Sequence, residues 1–277
     1  MKTYTKIKLA KFIYNFLIFF RLKKDLTVRR NLINWKLDLS EGIDLSIFLI
    51  GSFQGKVVES IIKYIFNQKK KYYDIIDIGS NIGDKSLSLS SKLLQNNFYN
   101  FKIFSVEPTD YAFKKQINNI NLNPKLKKKI FLFKYFLSNK KNKPNKIYSS
   151  WKLDAQNKTH KFHLGSLKKV SKSTQNIKLD EFIKKNKIKN QVILKMDVDG
   201  FELDILKSGI NLLKKKNPVV FMEYAPYIMK EHGSSVRDFL NFINKYNYNI
   251  YDLNFKKIKK INIPKGASTD IVLIKDI

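Results

Sequence analysis

The sequence predicts an α/β protein built on a mostly parallel sheet with helices on both faces. Three observations carry that expectation. Apolar runs of strand length alternate with helical patterns from residue 73 onward. The first of these runs breaks into two glycines, Gly79 and Gly83, directly before a helical pattern. Several runs end in an acid, at the strand ends where open α/β sheets bind ligands.

The elements follow in order. Phe12 to Phe20 is an apolar run flanked by Lys6 to Lys11 on one side and by Arg21, Lys23 and Lys24 on the other. Positive flanks suggest a signal peptide, but no small-residue cleavage site follows, and the run is far below the ~20 residues of a spanning helix. The expectation is a helix docked on the domain. The alternative is an interfacial anchor that makes peripheral membrane contact through residues 3–24. Two alternations, around residues 32–39 and 46–50, read as strands, and residues 56–67 have helical spacing. Residues 1–68 thus read as an N-terminal extension and cap, and residues 69–277 as the main domain.

Within the main domain, residues 73–78 read as a strand and the pattern through Leu94 as a helix. A strand over residues 102–107, a helix through Tyr111 and Ile120, and a strand over residues 130–137 come next. Residues 138–176 are polar and irregular. A helix over residues 180–187 and a strand over 191–197 follow. After a helix over 202–214 come a strand over 218–223, a helix over 235–245 and strands over 249–253 and 270–274.

Composition sets outer limits. The chain has 277 residues, of which 43% are hydrophobic, enough for one domain of ordinary size plus an extension. It has no cysteine, which excludes disulfides, thiolate nucleophiles and cysteine-based zinc sites. Lys+Arg is 54 against Asp+Glu 23, a net charge of +31. Such charge suits an anionic polymer or an anionic membrane. However, the excess is mostly lysine, spread along the chain with asparagine and isoleucine, and lysine is a poorer fork for phosphate than arginine. Nucleic acid is therefore not the expected partner.

Three segments carry chemistry. The first is Asp77-Ile78-Gly79-Ser80-Asn81-Ile82-Gly83. A dinucleotide site wants G-x-G-x-x-G, and Asn81 stands where the middle glycine would be. Gly79 can take a backbone angle closed to other residues, and Gly83 would let the helix approach the strand. Asp77, at the strand end, could accept a hydrogen bond from a cofactor amino group. The second is Glu107, 24 residues beyond Gly83, where an acid can hold both hydroxyls of a ribose; Pro108 ends that strand. The third is Lys195-Met196-Asp197-Val198-Asp199-Gly200-Phe201-Glu202, an apolar strand delivering acids and a glycine before a helix. Asp199 and Glu202 are equally well explained as complements to the dipole of that helix.

The Asp-x-Gly-x-Asn-x-Gly pattern resembles motif I of S-adenosylmethionine-dependent methyltransferases. Taken with Val106-Glu107-Pro108, Lys178-Leu179-Asp180-Glu181-Phe182 and Lys195 to Glu202, in this order, it resembles the FkbM family of methyltransferases over roughly residues 70–255. Residues 34–44 also resemble an N-terminal extension of some members. The resemblance implies a Rossmann-like seven-stranded methyltransferase fold and S-adenosylmethionine as donor. It further implies O-methylation of a sugar, glycan or related small molecule, as in polysaccharide biosynthesis. Carried over by position, Asp77, Gly79, Ser80, Asn81 and Gly83 would cradle the methionine part. Glu107 and Pro108 would bind the ribose, and Ser138 and Asn139 would touch adenine. Asp197 would sit nearest the amino-acid end or the reacting methyl. Asp84-Lys85 departs from the aromatic often found there, and Asp199 stands where many members have glutamate.

A sugar hydroxyl needs a base to take its proton. Asp197 and Glu223, at predicted strand ends, are the candidates, with His163 and His232 as further options. The acids need no metal to explain them, and none is expected. An enzyme of this kind belongs in the cytoplasm, at the inner face of the membrane if the first helix is an anchor. The competing readings are a nucleic-acid methyltransferase, opposed by the absence of an Asn/Asp-Pro-Pro-Tyr motif, and a non-catalytic binding protein on the same fold. A nicotinamide oxidoreductase is opposed by the missing middle glycine.

Overall fold

The structure, a computed structural model, describes residues 3–148, 151–154, 166–264 and 266–275. In chain order the first elements are α1 (Thr3–Phe19), β1 (Asp25–Arg30), β2 (Ile33–Asp38), α2 (Gly42–Ile50) and α3 (Gly55–Asn67). The middle of the chain supplies β3 (Tyr73–Ile78), α4 (Asp84–Gln95), β4 (Phe101–Val106), α5 (Asp110–Asn121), α6 (Pro124–Lys127), β5 (Ile130–Phe133), β6 (Tyr135–Leu137), β7 (Lys146–Tyr148), β8 (Leu167–Lys169) and β9 (Gln175–Ile177). The last part supplies α7 (Leu179–Lys185), β10 (Gln191–Met196), α8 (Glu202–Ser208), α9 (Ile210–Lys215), β11 (Val219–Tyr224), α10 (Pro226–Glu231), α11 (Val236–Lys245), β12 (Tyr248–Tyr251) and β13 (Thr269–Lys275).

Seven strands form one sheet in the order β12-β13-β11-β10-β3-β4-β5. All are parallel except β13, which runs antiparallel to both neighbours. The strands are apolar because both faces are covered. Ile75, Ile103, Ile193 and Phe221 face one layer, with α3, α4 and β2, while Ile76, Leu194 and Met222 face the other, with α7, α8 and α11. The chain lays β4 and β5 to one side of β3 and then crosses to place β10 and β11 on the other. The switch point, where such sheets hold ligands, therefore lies between β3 and β10.

The extension shares this core. Trp35, Leu37, Ile61 and Ile65 are buried in the same cluster as Tyr73 and Ile75, so residues 1–68 have no core of their own. Asn119 of α5 and Asn123, at the start of α6, serve the free edge of β2 as a neighbouring strand would. Lys36 N donates to Asn119 Oδ1 (2.8 Å) and Asn34 N to Asn123 Oδ1 (2.9 Å), and Asn123 Nδ2 donates to Asn34 O (2.7 Å). Residues 151–154 then strap across, with Gly42 N donating to Trp151 O (2.8 Å) and Leu153 N to Ser40 O (2.6 Å). Burial would raise the Asp38 carboxyl, but Ser40 and Lys152 donate to it and bring it down to about 2.

Three expected elements differ. Residues 46–50 belong to helix α2, not a strand: a short apolar run has no decisive period, and Gly51 closes the helix in a left-handed conformation. The expected strand over 130–137 divides at Lys134, because β6 leaves the main sheet to pair with β9. The expected helix over 202–214 divides into α8 and α9, because the Asp180 carboxylate accepts from Asn211 N and Leu212 N (2.9 Å each) and so starts a second helix.

Candidate active site

The turn after β3 is tied to both neighbouring strands. Gly79 N and Ser80 N donate to Val106 O at the tip of β4 (3.0 and 3.1 Å), and Asp197 N, just past β10, donates to Ile78 O (3.1 Å). Gly79 has φ +74°, and a Cβ there would lie 2.0 Å from Asp197 O. Only glycine lets the two strand tips meet backbone to backbone. Gly83, at φ +89°, opens α4, and a Cβ there would come within 3.3 Å of Gln116 in α5. The close neighbour is thus α5, not the strand expected from the sequence.

The acids at the strand tips are held in different ways. Glu107 is buried beyond β4; its Oε1 accepts from Thr109 N (2.9 Å) and Oγ1 (2.5 Å), and its Oε2 from Asn81 N (3.0 Å). Burial raises its proton affinity in spite of those bonds. Glu223 on β11 accepts from Ser268 Oγ (2.6 Å). Glu202 Oε1 accepts from Val198 N (3.2 Å), which fixes the loop carrying Asp197 and Asp199. Burial first, and then repulsion from Asp197, carries Asp199 and Glu223 well above the usual carboxylate range; Glu202 is raised to about 7. The balancing cation is Lys195, in the middle of the sheet. Its Nζ lies 3.0 Å from Asp77 Oδ1 and donates to Gly79 O (3.2 Å). Burial alone would depress this ammonium, yet Asp77 and Asp197 raise it above its ordinary value.

These groups surround one cavity of about 980 Å³, at the upper end of the ~300–1,000 Å³ typical of ligand sites. Gly79, Ser80, Asn81, Glu107, Pro108, Asp197 and Glu223 line it. Four of the residues singled out in the sequence stand outside that lining. Asp77 is fully buried behind the turn, where it faces Lys195 and accepts from Ser86 Oγ (2.6 Å), so it is not exposed to a cofactor amino group. Gly83 lies behind the same turn. Ser138 Oγ donates to Asp204 Oδ2 (2.6 Å) and Asn139 N to the same oxygen (3.2 Å), so an acid of α8 holds both away from the cavity. Phe136 and Leu137, immediately before them on β6, line it instead.

Of the two histidines considered, His163 lies outside the described residues. His232 lines the cavity with its ring 3.9 Å from that of Phe201; burial, then Lys140, lowers its pKa. Among the described residues no group of three or more His, Asp or Glu side chains is arranged to hold a metal. The sequence-based reading missed three contributors. Lys195 is one, although a lone cation in the apolar strand Gln191–Met196 requires a buried partner. Asp84, at the first turn of α4, is another; it is buried, lines the cavity and pairs with Lys85. Phe53 is the third: its carbonyl accepts from Lys85 Nζ (2.5 Å), and its ring lies 5.1 Å from that ammonium. An aromatic therefore does stand beside Lys85, but it comes from the cap.

No curated protein matches the chain. Solved structures of similar outline include the methyltransferase FkbM from Methylobacillus flagellatus KT, 16% identical over 74% of this chain and 44% of that one, with a TM-score of 0.42. Our chain thus spans less than half the length of that protein. An S-adenosylmethionine-dependent methyltransferase from Clostridium acetobutylicum ATCC 824 is 10% identical, over 83% of this chain and 96% of that one, TM-score 0.43. The magnesium protoporphyrin IX methyltransferase ChlM from Synechocystis PCC 6803, solved with bound SAM, is 8% identical, over 80% and 79% of the two chains, TM-score 0.42. The family model of the FkbM methyltransferase domain matches residues 77–250, more than half of the sequence and every strand tip described above. The chain belongs to the FkbM methyltransferase domain family.

Proposed function

We propose that the cavity binds S-adenosylmethionine and that the enzyme methylates a hydroxyl of a sugar, glycan or related metabolite. The observation that carries this reading is the set of carboxylates at three strand tips, Glu107, Asp197 and Glu223, around a turn that only glycine can make. The residues suit the donor: they are an excess of acids facing a molecule with a sulfonium and an ammonium. Asp84 adds a carboxylate whose Oδ1 has no hydrogen-bond partner among the described residues.

The donor supplies an electrophilic methyl group; the protein supplies position and a proton acceptor. Gly79, Ser80 and Asn81 offer a backbone wall with no side chain at its closest point, suited to the methionine part. Glu107 is fixed by three hydrogen bonds and is suited to the ribose hydroxyls. Pro108 lines the same wall. Asp197 and Glu223 can take the acceptor proton. Burial, and then repulsion from Asp197, raises the proton affinity of Glu223, and a raised proton affinity makes a carboxylate a better base near neutral pH. The cavity's size leaves room for an acceptor under the cap.

Calorimetry tests the reading. S-adenosylmethionine should bind and NAD should not; binding of NAD with none of the sulfonium overturns it. Of Asp197→Asn and Glu223→Gln, the one that removes the base should lose roughly 10²–10⁴ in kcat with the donor still bound.

A further inference from the structure

Helix α1 has two apolar faces. One packs on the domain: Tyr14 is buried and Ala10, Ile13, Leu17 and Ile18 are half-buried. The other points outward. Leu9, Phe12, Phe16 and Phe19 recur at helical spacing, with Phe12 68% and Phe19 80% exposed. Leu49 and Ile50, at the end of α2, are also exposed and extend this surface. The patch runs into the cavity, since Leu9, Leu49 and Ile50 line it together with Ala10 and Ile13. The mouth of the site therefore opens on the apolar face.

The charge around this face selects its occupant. Residues 1–24 contain seven lysines and arginines and no acid. A second copy of a chain carrying +31 would be repelled, and lysine is depleted in protein interfaces. Phenylalanines below and lysines beside them suit an anionic lipid surface. Among the described residues no single helix is long and apolar enough to cross a membrane, so α1 would lie in the surface.

We propose that the α1–α2 face docks on an anionic bilayer and that the cavity receives from it an amphiphilic acceptor, whose polar head carries the hydroxyl to be methylated. The second half rests on the reading of the cavity as a methyl-transfer site.

Flotation of the full chain with phosphatidylglycerol/phosphatidylcholine vesicles tests the first half. The expected result is co-flotation that falls at least tenfold with phosphatidylcholine alone. It should fall as far in Phe12→Asp/Phe16→Asp/Phe19→Asp, with S-adenosylmethionine binding by calorimetry unchanged. No flotation, equal flotation of the variant, or a wild-type dimer in light scattering that the variant dissolves would each overturn docking. Flotation without S-adenosylmethionine binding would instead sink the catalytic reading. Tritiated methyl groups, offered with membranes and soluble extract, should enter the organic-soluble fraction. Label confined to water-soluble products, or no label above a heat-inactivated control, overturns the amphiphilic acceptor.

Discussion

Replacing Glu202 by glutamine should flatten the pH dependence of stability near neutrality. Glu202 is 1% exposed, and burial raises its carboxyl from 4.5 to about 7. A group with a raised folded-state pKa holds more protons in the native than in the unfolded state, so stability falls as pH rises between the two values. The difference of about 2.5, at about 1.4 kcal/mol for each, corresponds to a loss of about 3.5 kcal/mol across the two values, roughly pH 4.5 to pH 7. Asp199 and Glu223 act with the same sign, so the comparison must be between proteins. Glu202→Gln keeps an oxygen to accept from Val198 N but cannot ionise. Urea denaturation of both proteins from pH 5 to pH 8 should show the variant gaining on the wild type by about 2–3 kcal/mol across the window. Parallel profiles would refute the reasoning, because they would mean that Glu202 titrates alike in both states.

Two further substitutions probe the strand tips. Gly79→Ala forces a Cβ against Asp197 O at a positive φ, so it should cost more than about 2 kcal/mol in denaturant melts and weaken S-adenosylmethionine at least tenfold by calorimetry. Lys195→Met strands the buried Asp77 carboxylate and should cost about 3–5 kcal/mol; Lys195→Met with Asp77→Asn should recover a good part of it in the same melts.

Much of this architecture was legible because buried parallel strands have a plain signature. Runs such as Tyr73–Ile78 and Val219–Tyr224 are mostly apolar, are buried along both faces, and carry an acid or meet a glycine near the tip. Glu107, Asp197 and Glu223 could be assigned to the site from sequence, since each closes such a run, and strand direction then puts all three at one edge. Direction of side chains was not legible. Asp77 is one residue short of the tip and faces Lys195 beneath the turn, while Ser138 is claimed by Asp204, 66 residues away in sequence. Neither fact follows from local spacing. The same holds for the cap, whose Phe53 reaches the cavity only because α2 is a helix, and residues 46–50 alone could not distinguish a helix from a strand.

The electrostatics of the helix start favour a cationic ligand over a pyrophosphate at this α/β turn. In dinucleotide folds the first helix after the glycine turn offers its free N–H groups and positive dipole end to the phosphates. Here that place is filled by the protein. Asp84 is the first residue of α4, buried and paired with Lys85, and it meets the dipole with a carboxylate of its own. A pyrophosphate would face Asp84, Glu107 and Asp197 together, with Lys195 already engaged by Asp77. A cationic ligand meets the reverse situation. Burial first, and then repulsion among the acids, drives Asp199 and Glu223 toward their protonated forms; positive charge in the cavity relieves the repulsion and so offsets part of the cost of burying several acids at one sheet edge. Asn81 at the middle position and the buried Asp84 at the helix start thus both disfavour a pyrophosphate, the first by shape and the second by charge.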